Sequence, residues 1–354
     1  MFLARVLSLS ALLLFLPFPA CGGGGGGGTP KAPPLKLPKA TLPEAHKDWN
    51  YAARLDTPNS PGPFHFRLVS GDFPQGLHLD ENSGLVYGKP RAEGNFVFHA
   101  VVEDTKNSSN SMEWIFTLEV KAPWDTSPPK SRRFNFFFIH HSVGQNLWIR
   151  GPLIVELYKQ NYMPYDMTYT EGKVDGYVIG DHTDIPDWPT NFNTPKYFQV
   201  MYTWELKAGG HQDIIAFKSC FPNSNIESEA RLEEFKKDYL SLLPTFKAHP
   251  EVLFVPFTTP PLNPASTTKE NAARARRLAN WLKYEYSAML PNVIAFDFFD
   301  ILANPPTDPN EPNMLRKEYR SGTDSHPTKE GDQAVTRAFL PFLNAAMRAS
   351  GMED

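Results

Sequence analysis

Cysteine is scarce in this chain: two residues, Cys21 and Cys220, among 354. That excludes a disulfide-stapled scaffold, and stability must come from burial. Blocks of like charge are missing too. The formal net charge is −4 and no long basic tract is present, so nucleic acid has no electrostatic footprint here. No apolar run is long enough to cross a bilayer as a stable helix; the run from Leu7 to Phe18 is too short. What is present is core-forming material. Hydrophobic residues make up 41% and charged residues 21%, the balance of a soluble globular protein. The length allows one large domain or two of ordinary size.

The N-terminus reads as a targeting segment. Arg5 supplies a short positive region ahead of the apolar run, and Ala20 stands directly before Cys21. This predicts a secretory signal over residues 1–20. Phe18-Pro19-Ala20-Cys21 resembles a bacterial lipobox, with Phe18 where Leu is usual. The resemblance implies that Cys21 is lipidated and becomes the first residue of an exported protein. That protein would be anchored by its lipid to the cell envelope, in the periplasm or exposed on the outer membrane. Cys220 is then left without a disulfide partner. Seven glycines, Gly22 to Gly28, are followed by Pro30, Pro33, Pro34 and Pro38. Poly-glycine is flexible and proline-rich chain is extended, so residues 21–39 are expected to form a tether.

Residues 40–122 carry a β pattern. Phe64–Val69 alternates with period two, and Phe96–Val102 and Trp114–Val120 are two further strand candidates. Ser70-Gly71, Asn82-Ser83-Gly84, Glu93-Gly94 and Asn107-Ser108 punctuate them as turns. Short strands at this spacing predict a β-sandwich. Phe73-Pro74-Gln75-Gly76-Leu77-His78-Leu79-Asp80, then Ser83-Gly84-Leu85-Val86-Tyr87-Gly88-Lys89-Pro90, resembles the Ig-like modules of bacterial surface proteins, which are similar to cadherin folds. The resemblance implies a spacer or a platform near glycans. Nothing in this stretch looks catalytic.

After a Pro/Ser/Lys-rich linker over 123–132, the pattern changes. Phe134–Ile139 is a solid apolar run, as expected of a strand buried on both faces. Further strands are expected around Met167–Tyr169 and over Asp213–Phe217, Val252–Phe257 and Val293–Phe298, with helices over Leu147–Gln160, Glu227–Phe246, Thr267–Met289 and Gln333–Ala349. Alternation of this kind predicts an α/β domain over 133–354. Its parallel sheet would carry helices on both faces and place its site at the C-terminal strand ends.

The chemistry-bearing residues fall at those ends. Phe134–Ile139 runs into His140-His141-Ser142-Val143-Gly144, where a strand-to-helix turn presents the Ser142 hydroxyl, and N–H groups at the helix start, that of Ser142 expected among the oxyanion donors, favour an anion. Taken alone, Ser142 would read as a helix cap. Asp213–Phe217 runs into Lys218-Ser219-Cys220-Phe221-Pro222-Asn223-Ser224-Asn225, and an Asn amide there can donate to an oxyanion. Cys220 reads as a structural thiol. Late in the chain, Asp324-Ser325-His326-Pro327 puts a carboxylate two residues from an imidazole, which it can orient as a general base for Ser142.

Together these blocks resemble the SGNH or GDSL-like hydrolase superfamily, over about residues 133–350. More narrowly they resemble a branch whose nucleophile block reads HHSxG. Ile179–Trp188, Phe217–Ser224 and Val255–Leu262 share that likeness. The resemblance implies a flavodoxin-like sheet and a serine esterase working without a cofactor. Ser142 would be its nucleophile, Asp324 and His326 the rest of the triad, and Asn223 the oxyanion amide.

The chain departs from the family in three places. It has no GDS triplet, and the late motif is Asp-x-His, not Asp-x-x-His. It also has no GxND block, which leaves Asn225 as an alternative to Asn223. Gly172 is the candidate oxyanion glycine. His141 is expected to pack beside Ser142 and line the substrate site, and Trp188 suits sugar stacking or loop packing.

No metal is expected, since adjacent His140 and His141 at a strand end point to opposite sides, and His182, His211, Asp181 and Asp184 show no tight ligand spacing. The expected substrate is an O-acetyl or other short acyl ester on a carbohydrate. The alternatives are a non-catalytic carbohydrate-binding or adhesive lipoprotein, a metal-dependent hydrolase and an acetyltransferase.

Overall fold

The computed structural model describes residues 39–55, 57 and 63–353, of which 107–109 by backbone alone. The expected signal, the lipidation site at Cys21 and the tether up to residue 38 lie outside the described residues.

Residues 39–121 form two sheets. The first contains β1 (Lys39–Thr41), β2 (Ala45–His46), β4 (Phe64–Gly71), β7 (Gly94–Asp104) and β8 (Asn107–Lys121); the second contains β3 (Tyr51–Arg54), β5 (Leu77–Leu79) and β6 (Leu85–Gly88). β1 and β2 both run parallel to β8, while β4, β7 and β8 are antiparallel neighbours. Alternate residues point inward, as period two demands. Phe66, Phe96, Phe98, Ala100, Val102, Phe116 and Leu118 meet Tyr51, Leu77 and Val86 in one core. The β5–β6 turn is tied by Asp80, whose Oδ1 accepts from the Ser83 N–H at 2.8 Å. Glycine is needed where these strands cross: a Cβ on Gly88, at φ +135°, would lie 2.3 Å from the Gly76 carbonyl oxygen.

From Phe134 the chain is doubly wound. β9 (Phe134–Ile139), β10 (Tyr162–Met167), β13 (Ile214–Phe217) and β14 (Leu253–Pro256) form a parallel sheet in the order β10-β9-β13-β14. Bridges from Phe254 to Val293 and from Phe257 to Phe296 add a fifth position beside β14. Relabelled by chain order, this is the 2-1-3-4-5 arrangement of flavodoxin-like sheets. The expected strand at 293–298 survives only as those bridges, because α8 (Phe298–Leu302) starts at its end. A small hairpin, β11 (Lys173–Val174) with β12 (Tyr177–Val178), projects after β10.

The all-apolar strands feed two cores. Phe134, Phe136 and Phe138 face α1 (Val143–Ile149), α2 (Leu153–Lys159), α8 and α9 (Lys329–Ala349). Phe137 and Ile139 face α3 (Trp188–Asn193), α4 (Pro195–Tyr202), α5 (Glu229–Leu240), α6 (Leu243–Ala248) and α7 (Lys269–Trp281). Each wholly buried Phe contributes about 1.5–3 kcal/mol.

Three helices differ from the sequence expectation. The helix expected over 147–160 is two, α1 and α2, parted at Gly151-Pro152, where proline cannot donate to the preceding turn. The one expected over 227–246 divides at Ser241-Leu242, with Pro244 in the first turn of α6. The third leaves α geometry at Leu282–Tyr286 in a π-turn. The caps are ordinary: the Ser228 and Thr268 hydroxyls accept from the N–H groups of Arg231 and Asn271.

Candidate active site

The site is assembled at the C-terminal ends of β9, β10 and β13. Ile139, the last residue of β9, leads through the two histidines to Ser142, which sits between strand and helix at φ +40°. A side chain at positive φ costs on the order of 1–3 kcal/mol, and such strain gathers where a functional group must be presented. The turn is pinned by the Gly144 N–H, which donates back to the His141 carbonyl at 2.6 Å.

Ser142 Oγ is in direct hydrogen-bond contact with His326 Nε2. On the other side of the ring, His326 Nδ1 meets Asp324 Oδ1 at 2.8 Å, and the same oxygen accepts from the His326 N–H at 3.0 Å. The two-residue spacing works because the carboxylate folds back on the very next turn and grips both donors. Partial burial pushes against ionisation of Asp324. The His326 ring and N–H outweigh it and hold the carboxyl below its ordinary value. Phe221 packs edge-on against the His326 ring, with centroids 5.2 Å apart.

The loop carrying Asp324 and His326 is braced twice. Asn263 donates from Nδ2 to the carbonyls of Gly322 and Asp324 at 3.0 and 3.1 Å. Arg150, just after α1, donates to the Pro327 carbonyl and to the Asp332 carboxylate, both at 2.6 Å. Asp332 is buried, and desolvation raises it to about 6 even though the Arg150 charge pulls it down.

The two histidines before Ser142 diverge. His140 is wholly buried, 3.3 Å from Asp166, and burial lowers its pKa. His141 points to the other side, where its Nε2 contacts the Gly180 carbonyl; a bond there requires Nε2–H. Burial lowers its pKa as well. The ring of Tyr169 stacks over it at 3.8 Å and 12°. Sequence reasoning missed Tyr169 entirely.

Asn223 Nδ2 donates to Asp184, and its Oδ1 accepts from the Ile185 N–H at 3.2 Å, leaving one amide hydrogen uncommitted. Asn225 is structural: its Oδ1 holds Thr267 and Asn271 at 3.0 Å each. Gly172 makes a turn at φ +67°, packed against Met167 and Ile179 rather than beside Ser142. Trp188 is fully buried against Phe217 and Phe192, so it offers no stacking face to a sugar. Behind the site, Lys218 is wholly buried and donates to the Ser219 carbonyl at 2.7 Å, and desolvation lowers it to about 8.

Among the described residues no cluster of three or more His, Cys, Asp or Glu side chains is arranged to hold a metal ion. His182 bonds the Val178 carbonyl, and His211 stacks on Tyr202.

No family model and no curated protein matches the chain. Solved structures do. A protein provisionally named an acylhydrolase, from Bacteroides fragilis, is 13% identical over 62% of this chain and 89% of its own, with a TM-score of 0.38. A GDSL-like lipase from Bacteroides thetaiotaomicron is 10% identical over 59% of this chain and 85% of its own, with a TM-score of 0.36. The third cadherin domain of human protocadherin 7 matches 28% of this chain and 95% of its own at 15% identity, with a TM-score of 0.21. At such scores none of them carries an assignment, which rests on the geometry above.

Proposed function

We propose that this chain is a serine esterase of SGNH type, cleaving an O-acetyl or other short acyl ester from a carbohydrate at the bacterial cell envelope. The observation that carries the reading is the unbroken contact from Asp324 through His326 to Ser142 at the end of the central strand. In the first half-reaction Ser142 Oγ attacks the ester carbonyl as His326 Nε2 takes its proton. The tetrahedral intermediate collapses, its C–O bond to the alcohol breaks, and His326 returns the proton to the leaving oxygen. Water, deprotonated by the same nitrogen, then releases the acid from acyl-Ser142. Asp324 keeps the imidazole in the Nδ1–H tautomer and offsets its charge.

A hydroxylated leaving group is supported by the groove that opens past Asn223. It measures about 530 Å³ and is lined by Asp184, Asn223, Asn225, Glu227 and Arg231 together with Pro186, Pro222, Ala230 and Phe235, while Ser142 and His326 are not among its walls. Such a rim suits a polyol better than a fatty chain. The two-sheet module is read as an Ig-like spacer and Cys21 as its lipid attachment point.

The test is hydrolysis of 4-nitrophenyl acetate and of an acetylated oligosaccharide by the purified protein, with acyl-Ser142 trapped and weighed by mass spectrometry. Activity that persists in Ser142→Ala, or that a chelator abolishes, sinks the reading. Acyl transfer to an added sugar in preference to water makes the protein a transferase instead. Fatty-acid labelling that survives Cys21→Ser removes the anchor.

A further inference from the structure

Resting on the esterase reading, we propose that the ring of Tyr169 is a saccharide-binding platform, on which a pyranose of the acylated substrate stacks and so presents its ester to Ser142. Strand register brings the ring to the site. Met167 pairs with Ile139, so two residues past the strand ends Tyr169 is level with His141, and the two rings stack at 3.8 Å and 12°. His141 is the residue directly before the nucleophile.

That stack takes only one face of the phenol ring. The residue is still 47% exposed, so the face turned away from His141 is open to solvent. Ile149 and Val155 are exposed on this portion as well, but they project singly from helices α1 and α2. Lone exposed side chains of that kind need no partner.

Tyr169 differs because it is fixed. The His141 ring beneath it is held on the Gly180 carbonyl. On either side of it in the chain, the Thr168 N–H donates to Glu171 at 2.8 Å and the Thr170 N–H to Asp181 Oδ1 at 2.9 Å. Thr170 sits at φ +67°, backbone strain of the kind that gathers at functional sites. An aromatic face already held flat covers the C–H side of a sugar without first losing freedom of its own. The same clamp sets the exposed Asp181 carboxylate beside Thr170, where it can accept from sugar hydroxyls. An open ring face with a carboxylate at its edge fits a polyhydroxylated ring, not a fatty chain. Trp188, whose sequence context suited this role, is fully buried and cannot fill it.

The test compares kcat/KM of the full chain for chemically acetylated xylotetraose with that for ethyl acetate, which carries no ring. Tyr169→Ala should lower the ratio of the two by about tenfold, the loss expected when one ring face no longer leaves water, and the change should lie in KM. Tyr169→Phe and Tyr169→Trp each restore a face and should restore the ratio. Calorimetric titration of the same saccharide into Ser142→Ala reads the platform without turnover, and adding Tyr169→Ala there should weaken binding by the same factor. A ratio or an affinity that Tyr169→Ala leaves unaltered overturns the proposal. So does a loss that Tyr169→Phe shares, which would put the effect in the hydroxyl and not in the face. If no ester is cleaved but saccharide binding depends on Tyr169, the esterase reading falls and the saccharide site stands. If ethyl acetate is cleaved but the saccharide is not bound, the site falls and the esterase reading stands. Neither cleavage nor binding overturns both.

Discussion

A Cβ built on Gly144 would lie 2.3 Å from the Cβ of His140 and 2.7 Å from its Cγ. The glycine of the HHSxG block therefore exists so that the first turn of α1 can close over a buried imidazole. Gly144→Ala should move that turn, and Ser142 with it, because a wholly buried ring has nowhere to go. We expect a loss of about 1–3 kcal/mol in urea unfolding, together with a kcat for acetyl ester hydrolysis that falls further than the stability change explains. A variant with native stability and full activity would show that the contact is relaxed at no cost.

Ser142, His326 and Asp324 are joined by direct contacts, so on the proposed reading they act as one unit and their removal should not add. Ser142→Ala and His326→Ala are each expected to lower kcat by on the order of 10⁴–10⁶, and the double variant to be no worse than either. Asp324→Ala should cost less, because the Asp324 side chain is 61% exposed and water screens its charge. Steady-state kinetics on the three single variants and the double variant decide it. Additive losses would mean that the contacts do not define a shared reaction coordinate.

Lys218 makes stability rise with pH in a range where it is usually flat. Desolvation lowers it to about 8, so between pH 8 and roughly 10 the native ammonium has lost a proton that the unfolded chain retains. The unfolded state then binds more protons and unfolding free energy increases with pH. Lys218→Met should be the more stable protein at pH 7, by on the order of 3 kcal/mol, with the gap narrowing toward pH 9.5. Denaturation series at pH 7.0, 8.5 and 9.5 measure this. Parallel curves for the two proteins would show that the ammonium is not desolvated.

Asp332 acts in the acid range with the opposite slope. Its carboxyl is raised to about 6 by burial, so between pH 4 and 6 the native protein holds a proton that the unfolded chain has released. Stability therefore declines as pH rises through that window and stays level above it, by on the order of 2–3 kcal/mol in all. Asp332→Asn should remove the decline. Arg150, still bonded to the Pro327 carbonyl, should hold the His326 loop well enough to keep kcat within about tenfold. Thermal melts at pH 4, 5, 6 and 7 test the slope, and an unaltered pH dependence in the Asn variant rejects it.

The parts of the fold that were legible in the sequence are those where composition alone decides burial. Phe134–Ile139 admits no solvent face, so a central strand follows, and with it the position of Ser142 at its end. The Asp324-Ser325-His326 turn was readable because both partners are local. Tyr169 was not, since no neighbouring residue marks it; only the pairing of β10 with β9 sets its ring over His141. Trp188 was open to two readings, sugar stacking and loop packing, because a Pro/Asp-rich segment looks like an exposed loop. Instead, short turns fold the indole under the sheet against Phe217. The helix breaks at Gly151-Pro152 and Ser241-Leu242 were hidden because apolar periodicity carries on across them.

The β-module lies against the α/β portion through Arg54 on Glu285 at 2.7 Å, Tyr87 on Tyr284 at 5.3 Å and Trp49 on Phe342 at 5.5 Å. Its first strands, β1 and β2, run parallel to β8, the strand that leads out toward the α/β portion. Suppose the chain is held at its N-terminus and dragged by the polymer at its active site. The load then pulls β1 and β8 lengthwise in opposite directions. Their ladder bonds lie across that pull and must fail together, not one after another, so the arrangement resists traction in the manner of a lap joint and not of a zip.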